Sequence, residues 1–174
     1  IIDGQLVKGA HRAAAEVGHM IIVPDGLPCG CGNKGCAEAY AGGANYPKQI
    51  EKRIAAGEPT LMAQIAKKYG AIDGRVLFEA YTLGDDMAVQ MLAQITWALG
   101  TLYYNIYKVL DNNCFVLGGG LTNIGQPLFS GIEETFLSLW RGKATEDVIH
   151  FKKAHFSSDE IGIYGAFLAA KYAN

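Results

Sequence analysis

Three features of this sequence predict an α/β fold. Short apolar runs at 1–8, 19–23, 114–118 and 148–151 read as strands, and they alternate with stretches of helical periodicity. The longest helix is predicted from Asp85 to about Leu110, where Val89, Leu92, Ile95, Leu99, Leu102 and Ile106 recur near a 3.6-residue period. Finally, Cys114-Phe115-Val116-Leu117 runs into Gly118-Gly119-Gly120 with a helix near Pro127, a strand, glycine loop and helix in succession. The 174 residues suffice for one domain with a sizeable core.

In chain order, the opening IIDGQLVKG reads as two strands around a turn at Asp3-Gly4. From Tyr46 to about Lys68 the period is helical, and Gly57 and Pro59 divide it into two helices. Lys52-Arg53 and Lys67-Lys68 read as their solvated faces. A third short helix covers Arg75 to Tyr81. Asp85 is the expected N-cap of the long helix, because its carboxylate can accept orphan backbone N–H groups. Trp97, Tyr103, Tyr104 and Tyr107 read as core and subunit packing rather than a ligand platform. A helix around Glu133 to Trp140, the strand at 148–151 and a final helix from Asp159 to Tyr172 complete the chain. Gly162, Gly165 and Ala166 in that last helix are expected to let a neighbouring element approach closely. His150 and His155 lack partners by spacing and read as structural.

Composition narrows the function classes. Half the residues are hydrophobic and the formal net charge is −2, so no basic excess points to nucleic acid and no acidic tail is present. No apolar run reaches the roughly 18 residues of a membrane helix. No signal-peptide pattern is read, and a clustered set of cysteines without obvious bridge partners favours a reducing cytoplasm. Cys114 reads as a buried core thiol.

Chemistry concentrates in AEVGHMIIVPDGLPCGCGNKGCAE, from Ala15 to Glu38. Glycines at 30, 32 and 35 let the backbone fold tightly enough for Cys29, Cys31 and Cys36 to converge. With His19, across the apolar run Met20 to Val23, they make a Cys3His set, the usual form of a closed structural zinc site. The rival reading is a disulfide. It is weaker, because Cys29 and Cys31 are too close for an ordinary bridge and pairing either with Cys36 strands the third thiol. A helix after Cys36 is expected to favour its thiolate through the helix dipole. Glu16 and Glu38 flank the metal residues. A metal-bound histidine keeps one nitrogen for hydrogen bonding, and two carboxylates beside it suit a ligand rich in hydroxyl groups. Taken singly, each acid could equally be a solvated surface group. The triple glycine at 118–120 offers bare backbone N–H groups to a phosphate, or it is simply a tight turn; Asn123 is the expected support for that loop.

Glu16-Val17-Gly18-His19 followed by Cys29-Gly30-Cys31-Gly32-Asn33-Lys34-Gly35-Cys36-Ala37-Glu38 resembles the ROK family of repressors, open reading frames and kinases, over essentially the whole chain. A departure is Ala15, where the family usually has glycine. The resemblance implies one lobe of an actin-like (ribonuclease H-like) ATPase fold with a zinc-binding loop. It implies Zn2+ on His19, Cys29, Cys31 and Cys36, and sugar hydroxyls on Glu16, His19 and Glu38. Gly118, Gly119 and Gly120 would be a phosphate or adenosine loop, and Gly84, Asp85 and Ala88 match a family helix start. It further implies a glucokinase-like activity with a hexose, ATP and Mg2+, and a homodimer. The family's first phosphate motif and catalytic aspartate have no counterpart here, so residues 1–174 are expected to be the C-terminal lobe of a longer or cleaved protein, without a base of its own. Two other classes stay open: a sugar-responsive repressor with a DNA-binding helix-turn-helix, and a non-catalytic zinc-stapled sugar-binding domain. The preceding sequence separates them, since a helix-turn-helix there means a repressor and an Asp-x-Gly-Gly-Thr motif means a kinase.

Overall fold

The computed structural model describes residues 7–11, 13–140, 149–156 and 158–171. Seven α-helices are described: α1 (Ala37–Ala41), α2 (Tyr46–Ala55), α3 (Met62–Tyr69), α4 (Gly74–Thr82), α5 (Asp86–Leu110), α6 (Gln126–Leu139) and α7 (Ser158–Lys171). With them stand two strands, β1 (Cys114–Leu117) and β2 (His150–Lys153). The chain is α/β, as expected. The predicted strand at 1–8 lies largely outside the described residues, and so does Val148.

α5 is the axis of the structure. Asp85 caps it, accepting a hydrogen bond from Ala88 N at 2.8 Å. The same carboxylate accepts from Leu61 N at 2.6 Å and Thr60 Oγ1 at 3.1 Å, so one buried acid holds the starts of α3 and α5 together. α5 and α6 cross through two reciprocal glycine–threonine contacts. A Cβ on Gly100 would lie 2.5 Å from Thr135 Cβ, and one on Gly131 would lie 2.7 Å from Thr96 Cγ2. Glycine inside a helix costs about 1 kcal/mol relative to alanine; here it permits an approach that any side chain would block.

β1 and β2 pair in parallel, with Phe115 opposite Phe151. Those two rings stack 5.4 Å apart at 9°. Tyr103, Phe136 and Trp140 extend the cluster across the α5–α6 side of the sheet. Burial pushes the Tyr103 phenol up to about 12. The aromatic positions of α5 therefore serve the core, except Trp97, which is exposed and meets Tyr40 edge-on. Cys114 is half-buried rather than buried.

Three expectations are corrected. The run 19–23 is not a strand. Val17–His19 forms a 3₁₀ turn, and Ile22 N and Val23 N both donate to a single acceptor, Gly35 O. Pro24 then lacks an N–H, and Asp25 turns the chain at φ 56°. Only the isolated pairing of Ile21 with Cys36 resembles a sheet there. Second, the helices expected near Pro127 and at Glu133–Trp140 are one helix, α6, with proline in its first turn, where a missing N–H costs nothing. Third, among the described residues nothing lies within 4 Å of a Cβ built on Gly162 or Gly165, so no neighbour approaches α7 there. Ile163 and Phe167 of that helix are exposed.

Candidate functional site

The loop between His19 and α1 is a set of interlocked backbone hydrogen bonds. Cys29 N donates to Asn33 O at 2.9 Å, Gly35 N to Leu27 O at 2.8 Å and Ala37 N to Met20 O at 3.0 Å. Gly35 sits at φ 78°, and a Cβ there would collide with the Val23 carbonyl oxygen. Only glycine meets both demands. Tyr40 Oη accepts from Leu27 N at 2.9 Å, which fastens the loop to α1.

This framework gathers four donor atoms. One from each of His19, Cys29, Cys31 and Cys36 lies within 4.8 Å of the others. His19 Nδ1 is 3.6 Å from Cys29 Sγ, and Cys31 Sγ is 3.6 Å from Cys36 Sγ. A tetrahedral zinc site with sulfur arms of about 2.3 Å separates its ligands by roughly 3.6–3.8 Å, so these two edges match, and every other edge is within 4.8 Å. All four cysteines are free, and no disulfide competes for the site. The donor set fits zinc.

The thiols differ in environment. Cys36 is fully buried, and burial first, then the neighbouring Cys31 and Cys29, push it up to about 12. Exposed Cys31 is held below the usual thiol range, chiefly by a hydrogen bond from the Asn33 backbone. A metal bound here would take Cys36 as its thiolate.

Both acids reach the same imidazole. Glu38 Oε2 is 3.6 Å from His19 Nδ1, and Glu16 Oε2 is 3.7 Å from Nε2. Both carboxylates remain open to solvent. A Cβ on Gly18 would lie 3.4 Å from Glu38 Oε2, in ordinary contact, so the Gly18 backbone borders the carboxylate.

The glycine loop stands apart from this cluster in the chain. Gly119 adopts φ 89°, ψ 176°, a conformation open essentially to glycine alone, and Gly120 begins a second 3₁₀ turn that ends at Ile124. Thr122 braces it by donating from Oγ1 to Gly119 O at 2.8 Å, the role expected of Asn123, which is instead exposed. A threonine three residues after a glycine was the available sign, since its hydroxyl can return to that carbonyl. A Cβ on Gly74 would lie 2.8 Å from Gly120 O, so α4 packs directly under the loop.

The sequence model of the ROK family matches residues 1–173. The chain belongs to the ROK family. It is 25% identical to a glucokinase of Halalkalibacterium halodurans over 175 residues, which is 100% of this chain and 53% of the relative. It is 30% identical to an N-acetylmannosamine kinase of Shigella boydii, over 98% of this chain and 52% of that one. The ROK chain thus spans about half the length of these curated relatives. Among solved structures it resembles a ROK glucokinase from Streptomyces griseus in complex with glucose and AMPPNP, with a TM-score of 0.78 and 28% identity, over 96% of this chain and 55% of that one. A ROK transcriptional regulator, a homologue of the E. coli MLC protein, matches with a TM-score of 0.75 and 27% identity, over 90% of this chain and 38% of the other.

Proposed function

We propose that this ROK chain is the C-terminal lobe of an actin-like, ATP-dependent hexose kinase of the glucokinase type, spanning residues 1–174. The observation that carries the reading is the position of His19. Its Nδ1 lies between Cys29 and Glu38 and its Nε2 faces Glu16, so one ring joins a metal donor set to a pair of carboxylates. His19, Cys29, Cys31 and Cys36 hold a structural Zn2+, which supplies rigidity to the loop rather than chemistry. Glu16 and Glu38 accept hydrogen bonds from sugar hydroxyls, and His19 donates to one.

Phosphoryl transfer consists mostly of positioning and charge stabilisation. This chain orients the sugar and contributes backbone N–H groups at Gly118, Gly119 and Gly120 to ATP bound with Mg2+. The cavity beside that loop is only about 180 Å³ and is lined in part by Tyr103, Leu117 and Leu121. That is small against the roughly 300–1,000 Å³ of ligand sites, which supports a nucleotide site shared with a second lobe. The lobe supplies no catalytic base; that group belongs to the partner lobe. The complete protein works as a homodimer in a reducing cytoplasm, which keeps its cysteines free.

A regulator is the second reading, favoured by the likeness to the ROK transcriptional regulator. The glucokinase and N-acetylmannosamine kinase relatives, together with the glycine-only backbone at Gly119, weigh toward the kinase.

Calorimetric titration of a hexose panel against the complete protein tests the site. Metal analysis is expected to give about one zinc per chain. Cys36→Ser is expected to lose zinc and to weaken sugar binding about 10–100-fold, although Cys36 contacts no sugar. Glu38→Gln should weaken binding with zinc retained. Unchanged affinity in a zinc-free Cys36→Ser protein would show that the metal only staples the fold.

A further inference from the structure

Glu38 stands on α1, a helix of a single turn. Isolated helices that short are not stable in water, so something else must hold its direction. Burial of Ala37, Ala39 and Ala41 does part of this, and three side-chain amides add to it, each from a different place in the chain. Asn45 Nδ2 donates to Glu38 O at 3.0 Å, Gln49 Nε2 of α2 to Ala39 O at 3.0 Å, and Gln94 Nε2 of α5 to Tyr40 O at 3.1 Å. Ala39 O and Tyr40 O, carbonyls of the kind that a helix end leaves orphaned, thereby gain partners, while Glu38 O also accepts from Gly42 N at 2.8 Å. Gln94 Nε2 also donates to Gln49 Oε1 at 3.0 Å, which links two of the amides into one chain.

The stem of the Glu38 side chain runs close to a glycine backbone: a Cβ on Gly42 would lie 2.7 Å from Glu38 Cγ. The carboxylate at its end is partly open to solvent. With the stem against Gly42, the direction of α1 sets where the carboxylate points. Gln94 is the only one of the three amides that ties α1 to the rigid central helix, across 54 residues of sequence.

We propose that Gln94 is a positioning residue for ligand binding: through Tyr40 O and Gln49 it sets the orientation of α1, and hence the aim of the Glu38 carboxylate at a sugar hydroxyl. The inference rests on the sugar-site reading of Glu38. Gln94 touches neither the metal donors nor the carboxylate; it acts through the backbone that carries them.

The test is a double-mutant cycle in the complete protein, with glucose and N-acetylmannosamine affinity, zinc content and thermal midpoint measured on each variant. Gln94→Met keeps the length and removes the donor. It is expected to retain zinc and to lose about five-fold in affinity for the sugar that binds, equivalent to about 1 kcal/mol. In a Glu38→Gln background the same substitution should have little further effect, because the group it aims has already been altered. An equal loss in both backgrounds, or no loss in either, overturns the proposal, since a merely structural role would act independently of Glu38. If Gln94→Met does not fold, Gln49→Met removes the adjoining link of the same chain, and the same two patterns decide. Failure of the underlying reading is distinguishable: Glu38→Gln alone would then bind both sugars as tightly as the unsubstituted protein, and the inference would fall with it.

Discussion

Ala15 holds φ at 70°, in the left-handed region, immediately before Glu16. An L-residue with a Cβ pays about 1–2 kcal/mol there. The turn that delivers Glu16 and His19 is therefore strained at Ala15, a position where the resemblance to the family leads one to expect glycine. Ala15→Gly is expected to stabilise the 174-residue chain by about 0.5–1 kcal/mol, the relief of strain less the extra unfolded-state entropy of glycine. Urea unfolding measures it, and a lower midpoint would contradict the argument. At the same scale, Gly35 shows how one residue commits several others. Its carbonyl takes the Ile22 and Val23 N–H groups, its N–H goes to Leu27, and its missing Cβ makes room for Val23 O.

Among the elements, α4 is the best example of local chemistry placing a helix. Asp73 caps it, accepting from Arg75 N at 2.9 Å and Val76 N at 3.3 Å, and pairs with the Arg75 guanidinium at 2.6 Å. Burial alone would raise this carboxyl. The Arg75 side chain and the Val76 and Arg75 backbone N–H groups outweigh that and hold it below the usual carboxylate range. A depressed folded-state pKa stabilises above the unfolded value near 3.8 and is lost as pH falls through the folded one. Asp73→Ala is expected to cost about 1 kcal/mol at pH 7. The gap to the unsubstituted chain should narrow as the pH drops below about 4. Thermal melts of the two proteins at pH 7 and pH 3 check both halves; a gap that stays constant would assign the effect to packing instead.

For the whole molecule, the two candidate ligand regions lie on different supports. The zinc and carboxylate cluster is built by a loop pinned to α1, while the glycine loop rests on α4 and leads into α6. The chain spans about half of its kinase relatives, and our proposal places the catalytic base outside it. The 174-residue chain alone is therefore expected to show no ATP-dependent phosphorylation of glucose or N-acetylmannosamine, while retaining about one zinc. A coupled assay with purified chain checks this. Robust turnover, with contaminating kinase excluded, would overturn the two-lobe reading.

How much of this could be read from the sequence depends on the range of the interaction. The residue types and spacing of His19, Cys29, Cys31 and Cys36 were legible, because ligation chemistry restricts the donors to a few side chains and the glycines mark the loop that gathers them. The long helix and its Asp85 cap were legible for a similar reason: periodicity and capping act within a few residues. What the local pattern could not contain was decided in three dimensions. The run 19–23 is apolar enough for a strand, yet its N–H groups are claimed by Gly35, twelve or more residues away, so no ladder forms. Asp85 caps its own helix as predicted, but its bonds to Thr60 and Leu61 depend on where α3 is packed. The burial of Cys36, which pushes its thiol up, is a property of the folded loop. Gln94 carries no motif at all. Its amide matters only because α5 passes under α1, and only tertiary packing brings that donor to the carbonyl it satisfies.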